Sequence, residues 1–292
     1  MTIELVKKVH FRKDGVTREE SFDSIGQPIF NLLHPVWNDE KLGFTTLDGD
    51  IVIPVIHDRV FTPEYQAVKV GDILYLALSI KDMYGLLAYN GKEVIKITSF
   101  VWPKMRIDKM NENLLPVGEV KWGYFNIQTQ ELQIPLLFDD VEGFKNGRAP
   151  VCLNEKWTSI DNNGKMITVP QYLLDFHFED DFAIVNKGGF YIGKRNRRNV
   201  CSSPYGLITK DGHEIVSDYS LIERTGYNTF KLAKVKKGKV KKFEKQFIPF
   251  DDSCIIVVTK GTNDITAINY NGCPITLDED VMKEIKNHLI TN

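Results

Sequence analysis

Two neighbouring stretches decide how the chain is read: "KWGYFNIQTQELQIPLLFDDVEGFKNGRAPV", Lys121 to Val151, and "NEKWTSIDNNGKMITVP", Asn154 to Pro170. Each carries a Lys-Trp pair, and the pairs stand 35 positions apart, at Lys121 and Lys156. From each pair the chain runs through a short apolar segment, a polar turn and a second apolar segment containing Pro. Strands of about six residues joined by a tight turn produce this pattern.

Working outward, the residue after the tryptophan serves as an anchor. It is Gly123 here, Gly43 in "EKLGFTTLDGDIVIP", Gly85 in "DMYGLLAYNGKEVIK" and Gly206 in "SPYGLITKDGHEIVS". Thr158 holds the place in the second Lys-Trp unit, and Thr266 in "NDITAINYNGCPIT". The preceding residue is Leu42, Tyr84, Trp122, Trp157, Tyr205 or Ile265, large and apolar every time. Six positions beyond the anchor comes the glycine of Asp48-Gly49, Asn90-Gly91, Asn163-Gly164, Asp211-Gly212 and Asn271-Gly272. The Gly123 unit has "QTQE" there instead.

Asn-Gly and Asp-Gly predict type I′ hairpin turns, which need positive φ at both central residues. A glycine anchor lets another backbone or ring approach closely. Pro54, Pro135 and Pro170 are expected to end the second strand, since proline cannot donate to a ladder. A third apolar stretch follows, such as "QAVKV", "GRAPVCL", "FAIVN" or "TFKLAKV". Each unit therefore reads as about three short strands.

The pattern resembles the WG-repeat family, whose units read Lys-Trp-Gly, an apolar pair, Asp, a glycine turn, Ile-Pro and a Tyr-Asp-like corner. The first stretch is the nearest copy, and the second lacks the glycine. The resemblance runs from about residue 40 to 275 and implies tandem β units. It implies little about a ligand, because the family is defined by its repeat. The expected fold is all-β: about six degenerate three-stranded units over 40–275 in an open solenoid-like array, with propeller-like closure as the alternative. Residues 1–39 are expected to cap the array, and 276–292 to form a short helix. Gly43, Gly85, Trp122, Gly123, Trp157 and Gly206 are the structural anchors. Trp122 and Trp157, with Trp37 and Trp102, read as core rather than ligand-stacking rings.

The bulk numbers exclude several classes. The chain has 292 residues, 42% apolar and 26% charged, with a net charge of −2. That is ordinary for a soluble globular protein and unlike a polyelectrolyte binder. No secretory leader or apolar run of membrane length is visible, which predicts a cytoplasmic protein. The cysteines, Cys152, Cys201, Cys254 and Cys273, lack metal or disulfide spacing and read as reduced thiols.

Catalytic patterns are missing too. The six histidines are scattered, and no Walker, dinucleotide or nucleophile-elbow motif is present. Asp139-Asp140, Glu179-Asp180-Asp181 and Asp251-Asp252 each follow a phenylalanine, which reads as aspartates stabilising their own turns. Cys201, near Arg197 and Arg198, is the one nucleophile candidate. No catalytic residue, cofactor or metal is expected.

The repeat breaks in two places. Anchor spacings of 42, 38 and 35 give way to 48 and 60, between Thr158 and Gly206 and between Gly206 and Thr266. The extra residues fall in "NKGGFYIGKRNRRNVCSSP", Asn186 to Pro204, and "KLAKVKKGKVKKFEKQF", Lys231 to Phe247. Both are basic, and "VKKGKVKK" reads as a hairpin. Insertions in repeat arrays often carry the binding face. Partner contact is therefore expected at Arg195, Arg197, Arg198, Lys236, Lys237, Lys239, Lys241 and Lys242. The favoured reading is a non-enzymatic scaffold binding a protein with an acidic surface. The alternatives are an immunity or regulatory protein masking a toxin or nuclease, and an RNA or single-stranded DNA binder using Tyr191, Phe243 and Phe247. At the C-terminus, Asp278 is the expected N-cap of a helix that caps the last unit through Val281, Met282, Ile285 and Leu289.

Overall fold

The computed structural model describes residues 7–13, 16–58, 66–187, 191–195, 198–201, 205–233, 235–236, 239–240, 244–250, 253–260, 262, 264–271 and 273–291. The chain divides into two compact units, Met1–Leu137 and Phe138–Asn292.

In the first unit, three four-stranded antiparallel sheets follow one another, each with its strands in chain order. The first holds Ser24–Ile25, Leu33–Asn38, Lys41–Thr46 and Ile51–Asp58. The second holds Gln66–Val70, Ile73–Ile80, Met83–Tyr89 and Val94–Trp102. The third holds Lys104–Met105, Leu114–Gly118, Trp122–Asn126 and Glu131–Phe138. The leading strand, only two residues long in two of the three, raises the count from three to four.

The second unit continues with sheets of three, three and six strands. The fourth sheet is Asp140–Val141, Arg148–Leu153 and Lys156–Asp161. The fifth is Phe182–Asn186, Tyr205–Thr209 and Glu214–Tyr219. The sixth is Leu221–Gly226, Thr229–Ala233, Lys245–Pro249, Cys254–Thr259, Asp264–Asn269 and Pro274–Ile275. A separate hairpin, Lys7–Lys13 with Val16–Phe22, precedes the first sheet.

Every anchor lands on its own sheet. Gly43, Gly85, Gly123, Thr158, Gly206 and Thr266 fall on successive sheets from first to sixth. The anchor strands of the first five sheets are buried over runs of three to five residues rather than alternately. The cause is face-to-face stacking. Leu74, Leu76 and Leu78 of the second sheet join Leu33, Leu42, Phe44 and Ile53 of the first in one cluster. Ala77 and Leu86 join Leu115, Val117 and Phe125 of the third in another. A strand covered on both sides needs apolar residues at both parities, hence runs such as "ILYLALSI". In the second unit, Val185 and Ile208 of the fifth sheet meet Tyr172, Phe176 and Phe178. Phe182 and Leu207 pack with Phe230, Phe247 and Val257 of the sixth.

The anchor glycines permit a bulge. A Cβ on Gly123 would stand 2.4 Å from the Ile134 carbonyl oxygen, and one on Gly43 2.7 Å from that of Ile53. On Gly85 it would stand 2.9 Å from the Phe100 ring. The closing strands of the first and second sheets shift register opposite these glycines. Pro54 and Pro135 lie inside the closing strands, Ile51–Asp58 and Glu131–Phe138, and do not end them. These strands form sheet edges, where a missing N–H costs no ladder bond.

Thr158 shows the converse. Its side chain stands where Gly43, Gly85, Gly123 and Gly206 have none, and no regular closing strand forms. Isolated bridges Ile160↔Met166 and Trp157↔Tyr172 remain, and Thr158 Oγ1 donates to the Thr168 carbonyl at 2.7 Å.

Turn chemistry differs from the expectation. Gly49, Gly91, Gly164 and Gly212 do have positive φ, but the Asp or Asn before each does not. Gly49, Gly164 and Gly212 each donate to the residue three back, Thr46, Asp161 or Thr209, so a type I turn ends on the glycine. Just before three of the anchor strands lie type I′ turns, at Asp39-Glu40, Lys81-Asp82 and Asn154-Glu155, with positive φ at both residues; others precede strands one step earlier, at Phe30-Asn31, Glu112-Asn113 and Asn146-Gly147. A distant carboxylate steadies each of the three before an anchor strand. Asp23 accepts from Asp39 N at 2.7 Å, Asp139 from Asn154 N at 2.7 Å, and Asp58 from the amides of Lys81 and Asp82.

The C-terminal helix, Glu279–Thr291, lays Val281, Met282 and buried Ile285 on the sixth sheet against Cys254, Ile256 and Ala267. Asp278 precedes its first residue, in the N-cap position.

Candidate interaction surface

The two basic insertions are built alike. The first is a hairpin, Tyr191–Arg195 with Arg198–Cys201, inserted between Phe182–Asn186 and Tyr205–Thr209. The second, Val235–Lys236 with Lys239–Val240, lies between Thr229–Ala233 and Lys245–Pro249. In each case the flanking strands pair with one another, so the insertion leaves the ladder intact. The fifth-sheet hairpin falls where the first, second and fourth sheets have their type I′ turn. The sixth-sheet hairpin lengthens the corresponding connection after a second strand.

Within the hairpins, Arg195 stands directly opposite Arg198 and Lys236 directly opposite Lys239. Arg197, Lys237, Lys241 and Lys242 lie outside the described residues, as do Phe243, Asp251 and Asp252. Cys201 pairs with Tyr191 through the backbone.

At the other end of the fifth and sixth sheets a polar lock joins their leading turns. Asp181 N donates to Asn228 Oδ1 at 3.1 Å, and Asn228 Nδ2 donates to Asp181 Oδ2 at 2.7 Å. Lys210 holds the Asp181 carboxylate at 2.9 Å, chiefly by this bond lowering its pKa below the usual aspartate value. Arg224 reaches Glu179 at 3.1 Å and Asp180 at 2.8 Å, with its guanidinium 4.7 Å from the Phe230 ring centroid. The acidic triplet read as a self-stabilising turn therefore binds cations 29 to 45 residues away. Asn228 is 1% exposed and carries no sequence motif that would have singled it out.

Two hollows accompany these elements. One, of about 400 Å³, is lined by Arg148, Asp181, Thr209, Lys210, Asp211, Tyr270 and Asn271, two cations and two carboxylates that cancel. The other, of about 550 Å³, is lined by Asp139, Cys152, Asn154 and Glu155. Burial, with Asp139 and Asp140 nearby, pushes the Cys152 thiol above its ordinary pKa, which disfavours the reactive thiolate.

The tryptophans sit in the scaffold. Trp122 is 8% exposed, with the Arg106 guanidinium 4.2 Å from its ring centroid. Trp157 packs on the cluster of Tyr172, Phe176 and Phe178. Trp37 packs on the cluster between the first and second sheets, and Trp102 on that between the second and third. A repeated polar position also emerges three residues after the anchor. Thr46, Asn126, Asp161, Thr209 and Asn269 each accept a turn amide there through a side-chain oxygen.

Fold and landmarks define a β-repeat protein with six anchor registers. Residues 122–157 match the WG containing repeat, so that stretch of the chain is a WG repeat, as the Lys-Trp landmarks suggested. No curated protein matches the sequence. Among solved structures the chain is similar to a eukaryotic initiation factor, with 9% identity over 93% of this chain and 96% of that one, at a TM-score of 0.35. BBS1N in complex with ARL6DN gives 14% identity over 78% and 84%, with a TM-score of 0.30. The AfRom2 CNH domain gives 11% over 92% and 86%, also at 0.30. These scores lie below the level of a shared fold, and nothing about this chain rests on them. Among the described residues no helix is long and apolar enough to cross a membrane.

Proposed function

We propose that the chain is a non-enzymatic, cytoplasmic β-repeat scaffold that binds another protein through the basic hairpins of the fifth and sixth sheets. The observation that carries this reading is the cross-strand register. Arg195 faces Arg198, and Lys236 faces Lys239. Like charges directly opposite on paired strands are destabilising. A hairpin that needed only solubility could stagger its charges or alternate their sign. An acidic surface would complement the charge that the register concentrates at both hairpins, in a chain whose net charge is only −2.

The test is nuclease-treated affinity capture from the source cell with the wild-type chain and with R195E/R198E/K236E/K239E. The expected result is a specific acidic protein retained by the wild type and lost by the variant. Retention of every captured protein by a folded variant sinks the reading.

A further inference from the structure

We propose that the hollow of about 400 Å³ in the second unit binds a small zwitterion, an α-amino acid whose carboxylate meets Arg148 and whose ammonium meets Asp211. Its occupant is independent of the protein partner proposed for the basic hairpins.

The argument starts from one position of the repeat. In each sheet, the strand before the anchor strand sets one residue opposite the third position after the anchor. In the first, second, third, fifth and sixth sheets that residue is Leu33, Tyr75, Leu114, Phe182 or Cys254. Tyr75 packs on a core cluster, and the other four are at most 2% exposed. In the fourth sheet the residue is Arg148, opposite Asp161. A guanidinium therefore stands where the other five sheets pack a core side chain.

The protein leaves that guanidinium poorly served. Asp161 Oδ1 accepts the amides of Asn163 and Lys165 instead. Arg148 Nη1 donates to the carbonyl of its own neighbour, Gly147, at 3.1 Å, and Nε is sealed from solvent with no acceptor. A buried donor left unpaired is costly, the more so on a charged group, so its retention calls for an acceptor from outside. Turning the Nε–Nη edge into the hollow meets a carboxylate bidentately, so binding moves the Arg148 side chain.

The other lining groups select the ligand. Lys210 and Asp181 neutralise each other at 2.9 Å. Asp211, on the next turn, makes no ion pair among the described residues, which leaves one cation and one carboxylate open. A phosphate dianion meets both aspartates, whereas one carboxylate with one ammonium satisfies both open groups. Tyr270, its ring stacked on Phe182 with centroids 5.6 Å apart, supplies a fixed aromatic wall. The volume lies at the small end of ligand sites, which suits a molecule of amino-acid size.

The test is isothermal titration of the full chain with each of the twenty standard L-amino acids. At least one should bind with a Kd of about 1 mM or tighter. Its decarboxylated amine and its deaminated acid should each bind at least about thirtyfold more weakly, the loss of one partner of a desolvated charge pair. Arg148→Leu, which installs the residue of the first and third sheets, should weaken binding by a similar factor with a urea midpoint no lower than the wild type. Asp211→Asn, on an exposed turn, should weaken it too. R195E/R198E/K236E/K239E should bind the amino acid as the wild type does.

A Kd weaker than about 1 mM for every amino acid overturns the site. Unchanged affinity in Arg148→Leu or Asp211→Asn overturns the assigned contacts. Loss of stability in Arg148→Leu overturns the assignment of Arg148 to a ligand, since the guanidinium then supports the fold. Equal or tighter binding of the deaminated acid, or of inorganic phosphate, overturns the choice of a zwitterion. Loss of binding in the hairpin variant overturns the independence of the two sites.

Discussion

Gly123→Ala isolates what the anchor does. The added Cβ would meet three backbone atoms of the closing strand: Ile134 O at 2.4 Å, Pro135 O at 2.6 Å and Pro135 C at 2.7 Å. Ordinary carbon contacts lie at about 3.5–4.0 Å, so the strand must retreat by roughly 1 Å. It cannot retreat freely, because Ile134 is 1% exposed. Overpacking costs about 1–3 kcal/mol, and an obstruction made of backbone places this variant at the top of that range, near 3 kcal/mol.

Gly91→Ala is the control. Gly91 has φ +88, and a methyl group there would meet nothing within 4 Å, so its cost is conformational strain alone, about 1–2 kcal/mol. Gly85→Ala should fall between them, since the Phe100 ring at 2.9 Å can turn aside. Urea denaturation followed by tryptophan fluorescence reads this directly, with Trp37, Trp102 and Trp122 all in the first unit. With m near 2 kcal/mol/M, Gly123→Ala should lower the midpoint by about 1.5 M. The reasoning is refuted if Gly123→Ala is less destabilising than Gly91→Ala.

Asp139→Ala removes the acceptor of the Asn154 amide and should cost about 1–2 kcal/mol, with faster hydrogen exchange at residues 154 and 155; Asp139→Asn should recover most of it. Thr158→Val keeps shape at a fully buried site but loses the hydroxyl that donates to Thr168 O, for about 1–3 kcal/mol in the same denaturation assay. His57 is 3% exposed, and burial lowers its pKa below the ordinary 6.5, so the unfolded chain takes up the proton first. Stability should therefore hold above pH 6.5, fall as pH drops from 6.5 to the lower folded value, and lose that slope in His57→Asn; denaturation midpoints from pH 8 to 5 would show it.

Six registers were legible because a glycine, or its absence, has a steric consequence at a fixed offset. The anchor must admit the closing strand, and the glycine six residues on must adopt positive φ. What escaped the sequence depends on long-range partners. The Asp-Gly and Asn-Gly pairs six residues past the anchors suggested type I′ turns, yet the turns leading into three anchor strands take that form at Asp39-Glu40, Lys81-Asp82 and Asn154-Glu155, where no local signal marks them. They form because Asp23, Asp58 and Asp139 supply acceptors from 15 to 24 residues away. The proline positions were misread for a related reason: a closing strand is an edge, and edges are not visible in a single strand's residues. Of the interaction surface, the basic composition was legible, but the opposition of Arg195 to Arg198 and Lys236 to Lys239 requires the register, and the Asp181–Asn228 lock joins residues 47 positions apart.

The position of the insertions follows from the same mechanics. Strands Phe182–Asn186 and Tyr205–Thr209 pair along their whole length, ending at Asn186↔Tyr205. Whatever joins those two residues contributes nothing to the ladder, and loop-closure cost rises only about 0.6 kcal/mol per doubling of length. The fold can therefore carry a long charged connection there at little expense, which is why charge could accumulate at this end without disturbing the stacked core. Replacing residues 187–204 by Asn-Gly should consequently leave the fifth sheet intact, within about 1 kcal/mol of the wild type, because a two-residue turn already serves at Lys81-Asp82. Capture of the acidic partner proposed for the hairpins should weaken. If the shortened chain loses its cooperative unfolding transition, the hairpin is part of the scaffold, and the separation of stacking from binding argued for this protein is wrong.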